Sequence, residues 1–279
     1  MPGWPESEVG VHPIEHLRYV ARASGADPSL LVQETASALT GVLRVEPAGL
    51  VPACRRLIER HLSVGPVWWL AARVLTAPDA AAAARAASAE IEADPTAGAL
   101  AHALPDDITV TIVGWPDLAG VGLRRRGDIE VLIGDAGGEG PVLARRLDAV
   151  GIDSVVVPDA GLAAAVVVSD LVVVEATAAG PGGILAALGS HAAAAVAAHR
   201  AAPVWAVAGV GRVLPAALWD SLLQRLDQGP AEPWDRPVEL VPASLLTAVV
   251  GPGGLVDVVE GLAQATCPVA PELLRPALG

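Results

Sequence analysis

PDAGLAAAVVVSDLVVVEATAAGPGGILAALGSHAAAAVAAHRAAPVWAVA, residues 158–208, holds two kinds of pattern in one stretch. DLVVVEA (170–176) and APVWAVA (202–208) are short, Val-rich and apolar without alternation, whereas SHAAAAVAAHR (190–200) between them is rich in helix formers. Continuous hydrophobicity over five to seven residues marks a strand buried on both faces, which is the signature of a parallel sheet covered by helices. Working outward, ITVTIV (108–113), IEVLI (129–133), DSVVV (153–157) and SLLTAVV (244–250) read the same way, separated by helical runs such as GPVLARRLDAV (140–150) and PAALWDSLLQRL (215–226). The expected fold class is α/β: over residues 105–279 a Rossmann-like parallel sheet with helices on both faces.

Upstream the period is helical throughout: PIEHLRYVARA (13–23), PSLLVQETASAL (28–39), PAGLVPACRRLIERHL (47–62) and VWWLAARVL (67–75). The Ala-rich run from Pro78 has few large apolar side chains and reads as a connecting helix ending at Asp94-Pro95. A small all-helical domain over residues 1–95 is therefore expected ahead of the α/β domain at 105–279.

Composition narrows the function. The 279 residues are 53% hydrophobic with mean hydropathy +0.50, ample for a packed core. Lys, Asn and Phe are absent and Tyr occurs once, a bias that a GC-rich, bacterial-type genome explains. Without lysine no Schiff base can form, and an anion must be held by Arg, by backbone N–H groups or by helix N-termini. A formal charge of −13, against two short Arg clusters at 55–56 and 124–126, argues against a nucleic-acid partner. Cys54 and Cys267 form no Cys-x-x-Cys pair and read as structural thiols of a reducing cytoplasm. His191 and His199 share a helix face without further ligands, so no metal is expected, and no cofactor. MPGWPESEVG lacks signal-peptide features, and the longest apolar stretch, 163–174, is cut by Ser169-Asp170. A cytoplasmic protein with no membrane partner is the expectation.

The stretch from Asp159 onward resembles one shared by the alpha, beta and delta subunits of translation initiation factor 2B and by the methylthioribose-1-phosphate isomerases, which are aldose-1-phosphate isomerases. The likeness continues in EGPVLARRLDAVGIDSVVVPDA (139–160), in VELVPASLLTAVVGPGGL (238–255) and in VWWLAARVL, similar to the helix after the family's substrate-binding arginine. The resemblance implies a sugar-phosphate isomerase ancestry, with a Cys and an Asp moving protons on either side of a shifting carbonyl, and it implies a homodimer formed through the C-terminal domain. This chain departs from the pattern at each catalytic place. Thr177 stands at the Asp position, Glu175 at the preceding Gly, Val113, Gly114 and Trp115 where the Cys would fall, and IGDAGGEG (133–140) carries no phosphate-binding arginine.

Three functions follow as expectations. The first is a non-catalytic initiation factor 2B-like protein that binds a small metabolite or a protein partner. The second is an isomerase with a relocated acid/base pair, Glu175 with Asp135, Asp159 or Glu139. The third, a dinucleotide oxidoreductase, rests on GVGRVL (209–214) alone, where Leu214 replaces the third glycine of the fingerprint. A ligand is expected around Thr177, the GPGG loop (Gly180, Gly182, Gly183) and Gly189-Ser190, where glycines expose N–H groups and Ser190 reads as a helix N-cap. Glu175, ending a run of valines, must face a pocket, a partner or a buried donor such as arginine.

Overall fold

The computed structural model describes residues 28–275; PIEHLRYVARA (13–23) lies outside them. Four helices open the described chain: α1 (Pro28–Val45), α2 (Leu50–Arg60), α3 (Gly65–Thr76) and α4 (Ala80–Glu92). Local chemistry sets their ends. Pro66 sits in the first turn of α3, where its missing N–H costs nothing, and Asp79 caps α4 by accepting from Ala82 N at 2.9 Å. After Pro95 the chain does not stay extended but enters α5 (Thr96–Ala103), because proline begins a helix as readily as it ends one.

The main sheet comprises β1 (Thr109–Val113), β2 (Glu130–Gly134), β3 (Ser154–Val157), β4 (Leu171–Glu175), β7 (Val204–Val207), β9 (Ala248–Gly251) and β10 (Gly254–Val256), in the order β3-β2-β1-β4-β7-β9-β10. All neighbours are parallel except β9 and β10. Its helices are α6 (Asp117–Leu123), α7 (Gly140–Asp148), α8 (Leu162–Val168), α9 (Ser190–His199), α10 (Ala216–Asp227) and α11 (Val258–Ala263). Alternate residues of β4 explain its unbroken apolar run. Val172 and Val174 pack in one core with Ala193, Ala194 and Ala197 of α9, while Leu171 and Val173 pack in another with Leu123, Leu143 and Leu147. From β1 the chain winds outward through β2 and β3, then returns to β4 on the opposite side of β1. This doubly wound order places a topological switch between the carboxyl ends of β1 and β4, where open α/β sheets form their ligand crevice.

The sequence reading missed a second sheet. β5 (Ala178–Gly180), β6 (Gly183–Ala187) and β8 (Val238–Pro242) pair antiparallel in the order β5-β6-β8. β5 (AAG) and β6 (GILAA) are rich in Gly and Ala and have little intrinsic strand preference, so cross-strand pairing, of β6 with β8 (VELVP) and of β5 with β6, makes them strands. SLLTAVV is also corrected: only its end joins the sheet, as β9, and Ala243–Leu245 form a single 3₁₀ turn.

Trp68 and Trp69 of α3 are wholly buried, and Trp219 of α10 nearly so. They share one core with Leu39, Leu57 and Ile58 of the helical segment and with Leu273 near the C-terminus. Trp68 Nε1 donates to Leu62 O and Trp69 Nε1 to Thr266 Oγ1, each at 2.9 Å, so burial leaves neither indole N–H unpaired. Cys54 and Cys267 lie in this core as free thiols. Among the described residues no helix is long and apolar enough to cross a membrane.

Candidate functional site

The switch point is occupied by the chain itself. Glu175, the last residue of β4, turns its carboxylate onto the start of α6: Oε2 accepts from Ala119 N at 2.7 Å and Oε1 from Asp117 N at 3.1 Å. Arg212 Nη1 donates to the same Oε1 at 2.7 Å and to Ala176 O at 2.6 Å. The two side chains are 8% and 5% exposed, a buried ion pair whose carboxylate also satisfies helix donors that would otherwise be orphans. Of the roles open to Glu175 in sequence, the structure assigns the buried donor.

The other candidate carboxylates do not converge on it. Asp135, after β2, accepts from Gly140 N at 2.9 Å and so caps α7, while Glu139 and Asp159 are exposed. Because β1 lies between β4 and β2, strand tops carrying Glu175 and Asp135 stand roughly 10 Å apart at the usual inter-strand spacing, and Asp159 lies beyond β3, farther still.

Thr177 is tied into β-structure: its N–H donates to Leu185 O at 2.7 Å and its carbonyl accepts from Gly65 N at 2.9 Å. A Cβ on Gly65 would stand 3.0–3.1 Å from Arg212 O, Ala178 Cα and Thr177 O, so the start of α3 presses backbone to backbone on this loop. The GPGG at 180–183 is the turn of the β5–β6 hairpin, with Gly180 paired to Gly183, and the copy at 251–254 is the turn of β9–β10. Here the glycines serve packing and turn geometry. A Cβ on Gly180 would meet the Trp219 ring at 2.3 Å; one on Gly183, at φ +143°, would meet Val241 O at 2.2 Å; of the three glycines in the first copy only Gly182 is exposed.

At α9 the reading of Ser190 as N-cap is corrected. Gly189 holds the cap position at φ +97°, Ser190 is the first helical residue and buried, and the capping oxygen comes from Glu239 of β8. Glu239 Oε1 accepts from Gly189 N at 2.6 Å and His191 N at 2.9 Å, the donors an anion would use. The loop GVGRVL does the same with Asp94, whose Oδ2 accepts from Val210 N at 2.8 Å and lies where a Cβ on Gly209 would stand 2.3 Å away. Thus Glu175, Asp135, Glu239 and Asp94 each fill a donor site at a carboxyl end of the sheet. Arg212, Glu239 and Asp94 escaped the sequence reading because their partners lie 37, 50 and 116 residues away in the chain.

Among the described residues no group of three His, Cys, Asp or Glu side chains is placed to hold a metal ion. Burial pushes both thiols, Cys54 and Cys267, up to about 12, which removes them from nucleophilic chemistry near neutral pH.

Comparison with solved structures then decides whose fold this is. The translation initiation factor eIF-2B of Pyrococcus horikoshii OT3 superposes over 89% of this chain and 98% of its own, with a TM-score of 0.73 at 16% identity. The fold is that of initiation factor 2B. The eIF2B beta subunit of Chaetomium thermophilum covers 92% of this chain and 94% of its own (TM-score 0.66, 16% identity). The 5-methylthioribose 1-phosphate isomerase of P. horikoshii OT3 covers 91% and 87% (TM-score 0.62, 13% identity), so the initiation factor 2B fold is here equally an isomerase fold. Neither a family model nor a curated protein matches the sequence.

Proposed function

We propose that this chain is a non-catalytic protein of the initiation factor 2B fold that acts by binding, and that it pairs with a second copy through its α/β part. One observation carries the reading: the Glu175 carboxylate at the switch point is committed to Arg212 and the α6 backbone. A relocated acid/base pair would need a second carboxylate facing the same atoms, and Asp135 is instead engaged with α7 at the top of β2, two strands away from β4. The dinucleotide reading loses support for a similar reason, since the loop that would cradle a phosphate holds Asp94. A formal charge of −13 speaks against a polyanionic partner. Pairing draws support from the C. thermophilum structure of this fold, a tetrameric eIF2B-beta2-delta2 complex, and from Val155 on edge strand β3, which is half exposed.

Light scattering on the full chain, combined with turnover assays on aldose-1-phosphates, tests the proposal. A dimer mass without turnover is the expected result. Turnover that vanishes in Glu175→Gln would overturn the non-catalytic reading, and a monomer mass at micromolar concentration would overturn the pairing.

A further inference from the structure

α8 and α9 lie side by side on one face of the main sheet, α8 over β1 and β2 and α9 over β4 and β7. Arg200 ties them together, donating from the end of α9 to Val166 O of α8 at 2.8 Å. Leu162 and Val166 of α8 and Ala193, Ala194 and Ala197 of α9 turn inward to the core. What turns outward is apolar as well. Val168 is 68% exposed and Val167 47%, beside Ala164 on the same helix, and Ala192, Ala195 and Ala198 are exposed on α9. No polar side chain occurs anywhere in 162–168 or in 192–198. A surface helix normally keeps a charged outer face, and one that is apolar all round belongs in an interior. Other helices of this chain obey the rule: α7 exposes Arg145, Arg146 and Asp148, and α10 exposes Asp220, Gln224 and Asp227. Two adjacent helices without a charge, in a chain that is 18% charged, therefore mark a contact surface.

Charge selects the occupant. Each copy of the chain carries a formal charge of −13, so two copies can approach closely only across a face that has no charge of its own. A two-fold contact brings the same residues of both copies together, and a neutral apolar face is complementary to itself. Alanine on α9 lets helix axes come near each other, while Val167 and Val168 supply the bulk that fills the gap between them. A lipid surface fits less well, because the face offers neither the basic nor the aromatic side chains that hold an interfacial helix. We infer that the outward face of α8 and α9 is the isologous contact between two copies of this chain. Exposed Asp170 and His199 flank its apolar centre, the polar rim that such contacts have. The inference gives the pairing proposed above its surface and rests on that reading.

The test follows the mass of the full chain by light scattering over a dilution series, with circular dichroism melts to verify the fold. Val168→Arg and Ala195→Arg each set a charge on the face at an exposed position, so the fold should persist. Each should weaken the dimer about 100-fold or more, because a charge without a partner is then buried in an apolar contact. Val168→Asp should do the same, since it is the apolar contact that is lost whatever the sign of the new charge. Val45→Arg, 63% exposed but on α1 of the helical segment, should leave the mass unchanged. A native dimer that survives both Val168→Arg and Ala195→Arg would overturn the inference and leave the pairing standing. So would a dimer broken by Val155→Arg on edge strand β3 and untouched by the other two. A native chain that is monomeric at micromolar concentration would overturn the pairing itself, and the inference with it.

Discussion

Replacing Glu175 by alanine removes two backbone acceptor contacts and strands the Arg212 guanidinium, 5% exposed, without its counter-ion. Breaking a buried pair from one side costs about 3–5 kcal/mol, because the remaining charge stays desolvated and uncompensated. At about 2–4 °C per kcal/mol for a chain of this size, the melting temperature should fall by roughly 6–20 °C. Glu175→Ala/Arg212→Met, which removes both charges, should recover most of the loss, since apolar replacement of an entire buried pair is often close to neutral. Urea unfolding followed by tryptophan fluorescence measures all three differences. A catalytic carboxylate poised in an open pocket predicts the opposite sign, because relieving a functional site of its stored strain commonly stabilises a protein. A single variant within about 0.5 kcal/mol of wild type, or more stable than it, would refute the reasoning.

Further outcomes follow from other parts of the molecule. Gly183→Leu should destabilise by about 2 kcal/mol or more, given a positive φ and a carbonyl in the path of its Cβ, whereas Gly182→Ala should be nearly silent; circular dichroism melts separate the two. Hydrogen bonding from Arg126, foremost, holds the Asp128 carboxyl down at about 2, below the roughly 3.9 of an unfolded chain. The stabilisation it lends is therefore complete above about pH 4 and lost as pH falls through 2, and Asp128→Asn should flatten that part of the acid-unfolding profile. Native Cys54 and Cys267 should resist a thiol reagent at pH 8 and both react once the chain is unfolded. Residues 1–105 expressed alone should fail to form a cooperative unit, because Leu218, Trp219 and Leu222 of α10 complete their core; Trp219→Ala in the full chain should cost about 3–5 kcal/mol. On this proposal the change of period near residues 95–105 divides two patterns and not two independently stable units.

What the amino-acid sequence determines here is the class of the fold. LVVVE can be apolar on successive residues only if both faces of its strand are covered, so β4 announced a parallel sheet, and the helical period upstream announced the helices of the first part. The GPGG turns were visible as turns, yet the hairpin that the first one closes was not, because β5 and β6 are short and rich in Gly and Ala without a periodic signal. Glu175 was legible as an anomaly and its meaning was not. A carboxylate at the end of a buried strand demands compensation, and sequence alone leaned slightly to a pocket over an ion pair with arginine. Only the tertiary structure decided among them, by carrying the β7 loop with Arg212 and the start of α6 to the same point. The cap of α9 was decided in the same way. Ser190 looked sufficient by local rules, but Glu239 reaches those donors across the second sheet, since a helix N-terminus takes whichever oxygen the packing presents, however far away along the chain.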